Sequence, residues 1–147
     1  KHGSKMIQAV ANARVPKFTI VLGGSFGAGN YGMCGRGFDP RFIFAWPTAR
    51  TAVMGGAQIA KVMDIVNRSK LERMGQTANE EALKAMSDGM RARVDKESTA
   101  LYGTARLWDD GIIDPRDTRR ILGLCLQIAD DANRRTLHAN TFGVARM

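Results

Sequence analysis

The chain has 147 residues, enough for one domain with a real core and too few for two of ordinary size. At 24% charged and 44% hydrophobic it has a globular composition, and no apolar run reaches the ~20 residues of a membrane span, so a soluble chain without a membrane partner is expected. The net charge is +8, of which +7 falls between Lys1 and Met63, yet the Lys and Arg stand singly without interleaved aromatics, which argues against a nucleic-acid partner.

The first residues, Lys1 to Ile7, already read as the inside of a helix, and no initiator Met precedes them; a fragment is expected. Met6, Ile7, Val10 and Ala13 recur at helical spacing, and Pro16 disfavours helix at the residue before it, which predicts a helix over Gly3–Ala13. Phe18–Leu22 is a β-branched apolar run closed by Gly23-Gly24, the pattern of a buried strand. After a glycine-rich loop, Tyr31–Gly35 is small and apolar and suits a helix packed against its neighbours. Phe42–Ala45 and Ala52–Met54 read as strands separated by a turn at Trp46-Pro47-Thr48. The second ends in Gly55-Gly56 and opens a helix over Ala57–Val66 with Ile59, Val62, Met63 and Val66 on one face.

From Asn67 to Ser98 the residues turn charged, and Leu83, Met86, Met90 and Val94 form the only apolar stripe, so an amphipathic helical excursion is expected. Methionine in such a stripe fills packing gaps more often than it binds a ligand. Asp114-Pro115-Arg116-Asp117 is a helix start with a capping acid and proline at the first position. Ile121, Leu122, Cys125, Ile128 and Ala129 follow as its buried face. Strands alternate with helices, so the class is α/β and residues 1–147 form one domain.

The chemistry concentrates in Gly23-Gly24-Ser25-Phe26-Gly27-Ala28-Gly29-Asn30-Tyr31-Gly32. Small residues let a ligand approach the main chain, and the first amides of a following helix point outward with its positive dipole end. That arrangement binds an anion or an oxygen on which negative charge develops, and the basic surroundings favour it, although a solvated basic surface would show the same charge. Gly27 to Gly32 also matches G-x-G-x-x-G, which leaves a non-catalytic dinucleotide- or phosphate-binding module as the alternative. Such a fold needs an acid about 20 residues on, where Ala45 to Arg50 has none.

A hydrolase is disfavoured, because Ser25 lacks a G-x-S-x-G elbow and the two histidines, His2 and His138, lie near the ends without a nucleophile partner. Both read as surface or structural. The acid pairs at Asp109-Asp110, Asp114-Asp117 and Asp130-Asp131 read as caps and solvated faces. Cys34 and Cys125 have no paired or metal-type spacing and read as reduced core thiols, and no metal is expected. A site of backbone donors suits chemistry supplied by a cofactor.

Several ordered segments carry a resemblance: Lys1–Met6, Val15–Thr19, Gly23–Arg36, Trp46-Pro47, Val53–Gly56, Ala105–Gly111, Ile113–Pro115, Thr118–Arg120 and Phe142–Met147. Together they resemble the carboxyltransferase β subunits of methylcrotonyl-CoA and geranyl-CoA carboxylases, over the whole chain. The resemblance implies a crotonase-like fold of stacked ββα units and makes this chain an incomplete C-terminal domain, lacking the N-terminal domain that holds the acyl-CoA. It implies biotin as cofactor, carried by a partner α subunit, further β subunits around a shared active site, and a location in the bacterial cytoplasm or, alternatively, the mitochondrial matrix.

It also assigns the biotin-side oxyanion hole to the amides of Ala28 and Gly29, with Gly24, Ser25, Phe26, Gly27, Asn30 and Tyr31 shaping it. Those amides would stabilise charge on the biotin urea oxygen, and biotin itself would take the γ-proton of the enoyl-CoA. Ala57-Gln58 stands where methylcrotonyl enzymes usually carry an acid, which tilts the resemblance towards the geranyl-CoA type.

Overall fold

The computed structural model of the chain describes residues 1–136 and Gly143. Helix α1 (His2–Asn12) is followed by strands β1 (Phe18–Val21) and β2 (Gly24–Phe26) and the short helix α2 (Gly27–Gly32). A single 3-10 turn at Arg36–Phe38 leads to β3 (Phe42–Ala45), β4 (Arg50–Ala52) and the long helix α3 (Gly56–Arg73). Helices α4 (Glu80–Glu97), α5 (Ala100–Thr104) and α6 (Thr118–Arg134) complete the described part, with a 3-10 turn at Pro115–Asp117 leading into α6.

The two halves of this order repeat one unit. β1 pairs in parallel with β3, from Phe18 opposite Phe42 to Val21 opposite Ala45, and β2 pairs in parallel with β4, from Gly24 opposite Arg50 to Phe26 opposite Ala52. Each turn therefore places one strand in each of two small sheets and then enters a helix, which is the expected ββα stacking. The corners stack as well: Trp46 N donates to Val21 O at 2.9 Å, Arg50 N to Gly23 O at 3.0 Å, and the Thr48 hydroxyl to Leu22 O at 2.6 Å. Farther on, Ile112 bridges Ala45 in parallel and Thr99 bridges Arg50 antiparallel, so both sheets receive a later segment.

Small residues make the centre. Ala45, Ala49 and Ala100 are buried, with Val21 and Ile112 packed against them, while the rings of Phe18, Phe42 and Phe44 stack along the β1–β3 pair at 5.9–6.2 Å. Among the described residues no large side chain is wholly buried, and α1 has no buried residue.

α3 and α4 form a closed antiparallel pair. Near their connection Arg68 holds Glu80 through two 2.7 Å bonds and Asp64 through one at 2.9 Å; at the other end a Cβ on Gly56 would stand 2.5 Å from Asp95 Oδ1. Asp114 Oδ1 accepts from Arg116 N at 2.9 Å, as expected of a capping acid, and the Trp46 indole N–H reaches the Thr118 hydroxyl at 3.0 Å.

Several boundaries differ from the sequence reading. The loop from Gly23 is not irregular: Gly24–Phe26 is a strand, and the helix begins at Gly27 rather than Tyr31 and ends before Met33. Pairing of β2 with β4 creates this strand, which three residues with no alternation cannot announce. The strand expected over Ala52–Met54 lies at Arg50–Ala52, because the pairing with β2 ends at Phe26 opposite Ala52, where β2 gives way to α2, and Val53 beyond it is 77% exposed. α3 runs on to Arg73, with the Arg68–Asp64 pair supporting its polar half. In α6 Cys125 and Ala129 are buried as expected and Ile121 and Leu122 half-buried, whereas Ile128 is exposed. His2 is exposed; His138 and the Phe142–Met147 motif, apart from Gly143, lie outside the described residues.

Candidate active site

The glycine segment is fixed by close approaches that only glycine permits. At Gly27 φ is +54°, and a Cβ would stand 2.9 Å from Val53 O, so the chain turns from β2 into α2 against the β4 exit with no room for a side chain. The Phe26 ring lies over Gly24, whose Cβ would meet Phe26 Cε2 at 2.8 Å. These contacts set where α2 starts.

The i→i−4 ladder of α2 starts at Asn30, which leaves the N–H groups of Ala28 and Gly29 outside it. Both residues are exposed, and among the described residues no side chain or loop carbonyl accepts from either amide. Nothing lies within 4 Å of a Cβ built on Gly29. Two adjacent, uncommitted donors at a positive helix end are the feature that can hold developing negative charge.

The other residues expected at the site divide into two groups. Asn30 Nδ2 donates to Ser25 Oγ at 2.9 Å, and both line a cleft of about 230 Å³ with Gly23, Gly24, Met33, Thr19 to Val21 of β1 and Leu22 just after it. Ala28 and Gly29 stand outside that wall. Tyr31 turns towards the 3-10 turn instead: its ring meets Phe38 edge-on at 5.9 Å and sits over Gly37, whose Cβ would touch Tyr31 Cε1 at 2.9 Å. Asn30 Oδ1 crowds Gly35 in the same way, so the segment after α2 folds back beneath it.

Two residues of the Val15–Thr19 segment, to which the sequence reading gave no role of their own, hold that part of the chain. The Thr19 hydroxyl donates to Cys34 O at 2.8 Å, and Lys17 Nζ donates to Phe38 O at 2.8 Å and Val10 O at 3.1 Å. Beyond the family resemblance of Val15–Thr19, the sequence signal is a polar residue alternating with apolar ones in a strand. Arg36 pairs with Asp110 at 3.5 Å, and Asp110 Oδ2 accepts from Ile43 N at 2.7 Å, so this cation anchors the sheet edge.

Cys34 and Cys125 are free and buried, as expected, and burial pushes the Cys125 thiol up, away from nucleophilic reactivity. Among the described residues no three of His, Cys, Asp and Glu gather as metal ligands, and no helix is long and apolar enough to cross a membrane.

The family model for the carboxyl transferase domain matches residues 1–145. The chain belongs to the carboxyl transferase domain family. It is similar over its full length to the β subunit of Pseudomonas aeruginosa geranyl-CoA carboxylase, whose crystal structure superposes with a TM-score of 0.86 at 61% identity and of which the chain covers 27%. It is 49% identical over 147 residues to the β1 subunit of the biotin-dependent 3-methylcrotonyl-coenzyme A carboxylase of Mycobacterium tuberculosis, covering all of this chain and 27% of that one. The mitochondrial methylcrotonoyl-CoA carboxylase β chain of Arabidopsis thaliana is 50% identical over 147 residues, covering 100% of this chain and 24% of its own.

The chain thus spans about a quarter of the length of the curated relatives it matches. The fold is crotonase-like, as the resemblance implied, and the family match goes against a dinucleotide- or phosphate-binding module. Two paired-strand sheets joined by stacked corners are also not the single open sheet of a dinucleotide fold.

Proposed function

We propose that the chain is part of the C-terminal domain of a carboxyltransferase β subunit in a biotin-dependent acyl-CoA carboxylase. The whole enzyme moves a carboxyl group from carboxybiotin to the γ-carbon of a branched enoyl-CoA. The observation that carries this reading is the pair of exposed, uncommitted amides at Ala28 and Gly29 in a chain of this family. Identity of 61% to a geranyl-CoA carboxylase β subunit, against 49–50% to methylcrotonyl-type chains, supports geranyl-CoA over 3-methylcrotonyl-CoA as substrate.

The residues fit biotin's urea group, a flat acceptor that needs donors rather than a charged side chain. When bound, biotin supplies the transferred carboxyl group and a basic urea. Ala28 and Gly29 would hold the urea oxygen through their amides, which suit developing negative charge, Gly27 would let the backbone approach, and the Asn30–Ser25 bond holds α2 to β2. Phe26 and Tyr31 brace the two ends of the helix. A partner α subunit would carry the biotin, and a neighbouring β subunit would hold the acyl-CoA on its N-terminal domain. The bacterial cytoplasm is the proposed compartment.

The test is carboxylation by the complete β subunit with its α partner. Geranyl-CoA is expected to turn over faster than 3-methylcrotonyl-CoA. Gly29→Val has space in the fold, so assembly by size-exclusion chromatography should be unchanged; the variant keeps its backbone N–H, but the branched side chain stands where the urea oxygen must approach, and kcat should fall about 100-fold, the size of losing one oxyanion contact. Wild-type turnover by that variant removes the assignment of the site.

A further inference from the structure

The six-residue sequence of α2, Gly-Ala-Gly-Asn-Tyr-Gly, cannot hold a helix by itself: three glycines each cost up to ~1 kcal/mol against alanine, and one turn and a half lies far below the length at which an isolated helix persists. Its placement is imposed from outside. The N-terminal end is fixed by the Gly27–Val53 approach and the Asn30–Ser25 bond.

At the C-terminal end, Met33 N donates to Gly29 O at 3.1 Å and Cys34 N to Tyr31 O at 3.0 Å, and Cys34 closes the helix in the left-handed conformation with φ 65°. A non-glycine residue in that conformation is costly and persists only where its surroundings hold it. Cys34 is buried at 7% exposure, and among the described residues the one side-chain donor on its carbonyl is the Thr19 hydroxyl at 2.8 Å, with Met33 O at 3.5 Å beside it. Thr19 sits in β1, whose position is set by pairing with β3. The bond therefore ties the closing residue of α2 to the sheet.

We infer that Thr19 is a positioning residue for carboxyl transfer, acting through the Cys34 carbonyl to fix the orientation of α2 and hence of the amides at its other end. The inference rests on the reading of Ala28 and Gly29 as the oxyanion donors. Thr19 shares the cleft wall with Ser25 and Asn30, and its bond to the Cys34 carbonyl sets the direction in which two backbone N–H groups point. Misplacement by about 1 Å in such a donor pair is enough to cost up to 100-fold in rate.

The experiment compares Thr19→Val, Thr19→Ser and Gly29→Val in the complete β subunit assembled with its α partner, reading kcat and KM for the acyl-CoA together with oligomeric state. Thr19→Val keeps the shape of the side chain and removes its donor. The expected result is a kcat lowered at least tenfold, unchanged KM for the acyl-CoA, unchanged assembly, and recovery of most of kcat in Thr19→Ser. If Gly29→Val is impaired and Thr19→Val turns over like wild type, the positioning role is overturned while the oxyanion reading stands. If both variants match wild type, the oxyanion reading itself fails. A Thr19→Ser variant as impaired as Thr19→Val would assign the effect to packing and also overturn the inference.

Discussion

At Gly27 two demands meet that no other residue satisfies together: a left-handed φ of +54° and a backbone oxygen, Val53 O, 2.9 Å from where Cβ would be. Gly27→Ala is expected to destabilise the complete β subunit by about 1–3 kcal/mol, seen as a lower midpoint in denaturant, and to reduce carboxylation, since Ala28 and Gly29 follow directly. An unchanged midpoint would show that the strand-to-helix turn relaxes freely. Gly29 is the opposite case, a glycine with open space around it, where substitution tests chemistry rather than folding. The sequence showed that glycines cluster here. Which of them are sterically required it could not show, because the deciding atoms belong to Val53, Asn30 and Phe26, and Val53 lies in another turn of the fold. The roles of Thr19 and Lys17, within the Val15–Thr19 segment, were illegible for the same reason: their acceptors are main-chain carbonyls well away in the chain.

Among the elements, those whose pattern suffices by itself were readable. α1 lies at His2–Asn12 against an expected Gly3–Ala13, and β3 occupies Phe42–Ala45 as read. Elements that exist through pairing or packing were not: β2 is made by β4, and α2 by its anchors. The α3–α4 pair is an intermediate case, since the amphipathic stripe was visible while the ionic closure was not. There Arg68 holds the Glu80 carboxyl below its usual range, chiefly by a side-chain hydrogen bond. A carboxyl lowered in the folded state contributes stability above its unfolded value of about 4.5 and loses it as pH falls through the folded value. Glu80→Gln should therefore lower the denaturant midpoint slightly at neutral pH and make no difference well below pH 4.5. The effect stays small because both partners face solvent.

At the scale of the molecule, the described residues leave many large apolar side chains uncovered, among them Leu22, Met33, Val53, Ile65, Val66, Leu124 and Leu126. These lie on β1, β4, α3 and α6 flanks alike rather than in one patch. With a buried set of mostly alanines and cysteines and only Ile43, Leu83 and Ile113 as larger members among the described residues, the 147-residue chain alone is expected to bind ANS and to form oligomers in size-exclusion chromatography. A monomer with a sharp melt and no dye binding would contradict that. The class and the family likeness were readable across the whole length, because they reside in ordered motifs; the degree of exposure was not, because a hydrophobic stripe looks the same whether or not something covers it.

The long helical pair leaves the strand stack after β4 and comes back beside that same strand, with Thr51 N donating to Ser98 O at 2.8 Å and Thr99 bridging Arg50. Its entry and exit are thus neighbours, and it is sealed internally by the Arg68 cluster. Such a detour can grow, shrink or be exchanged between homologues at little entropic expense, because the distance it must span never changes. Natural variation in acyl-CoA carboxylases can accordingly reshape this projection while the glycine turn on the preceding unit keeps its geometry.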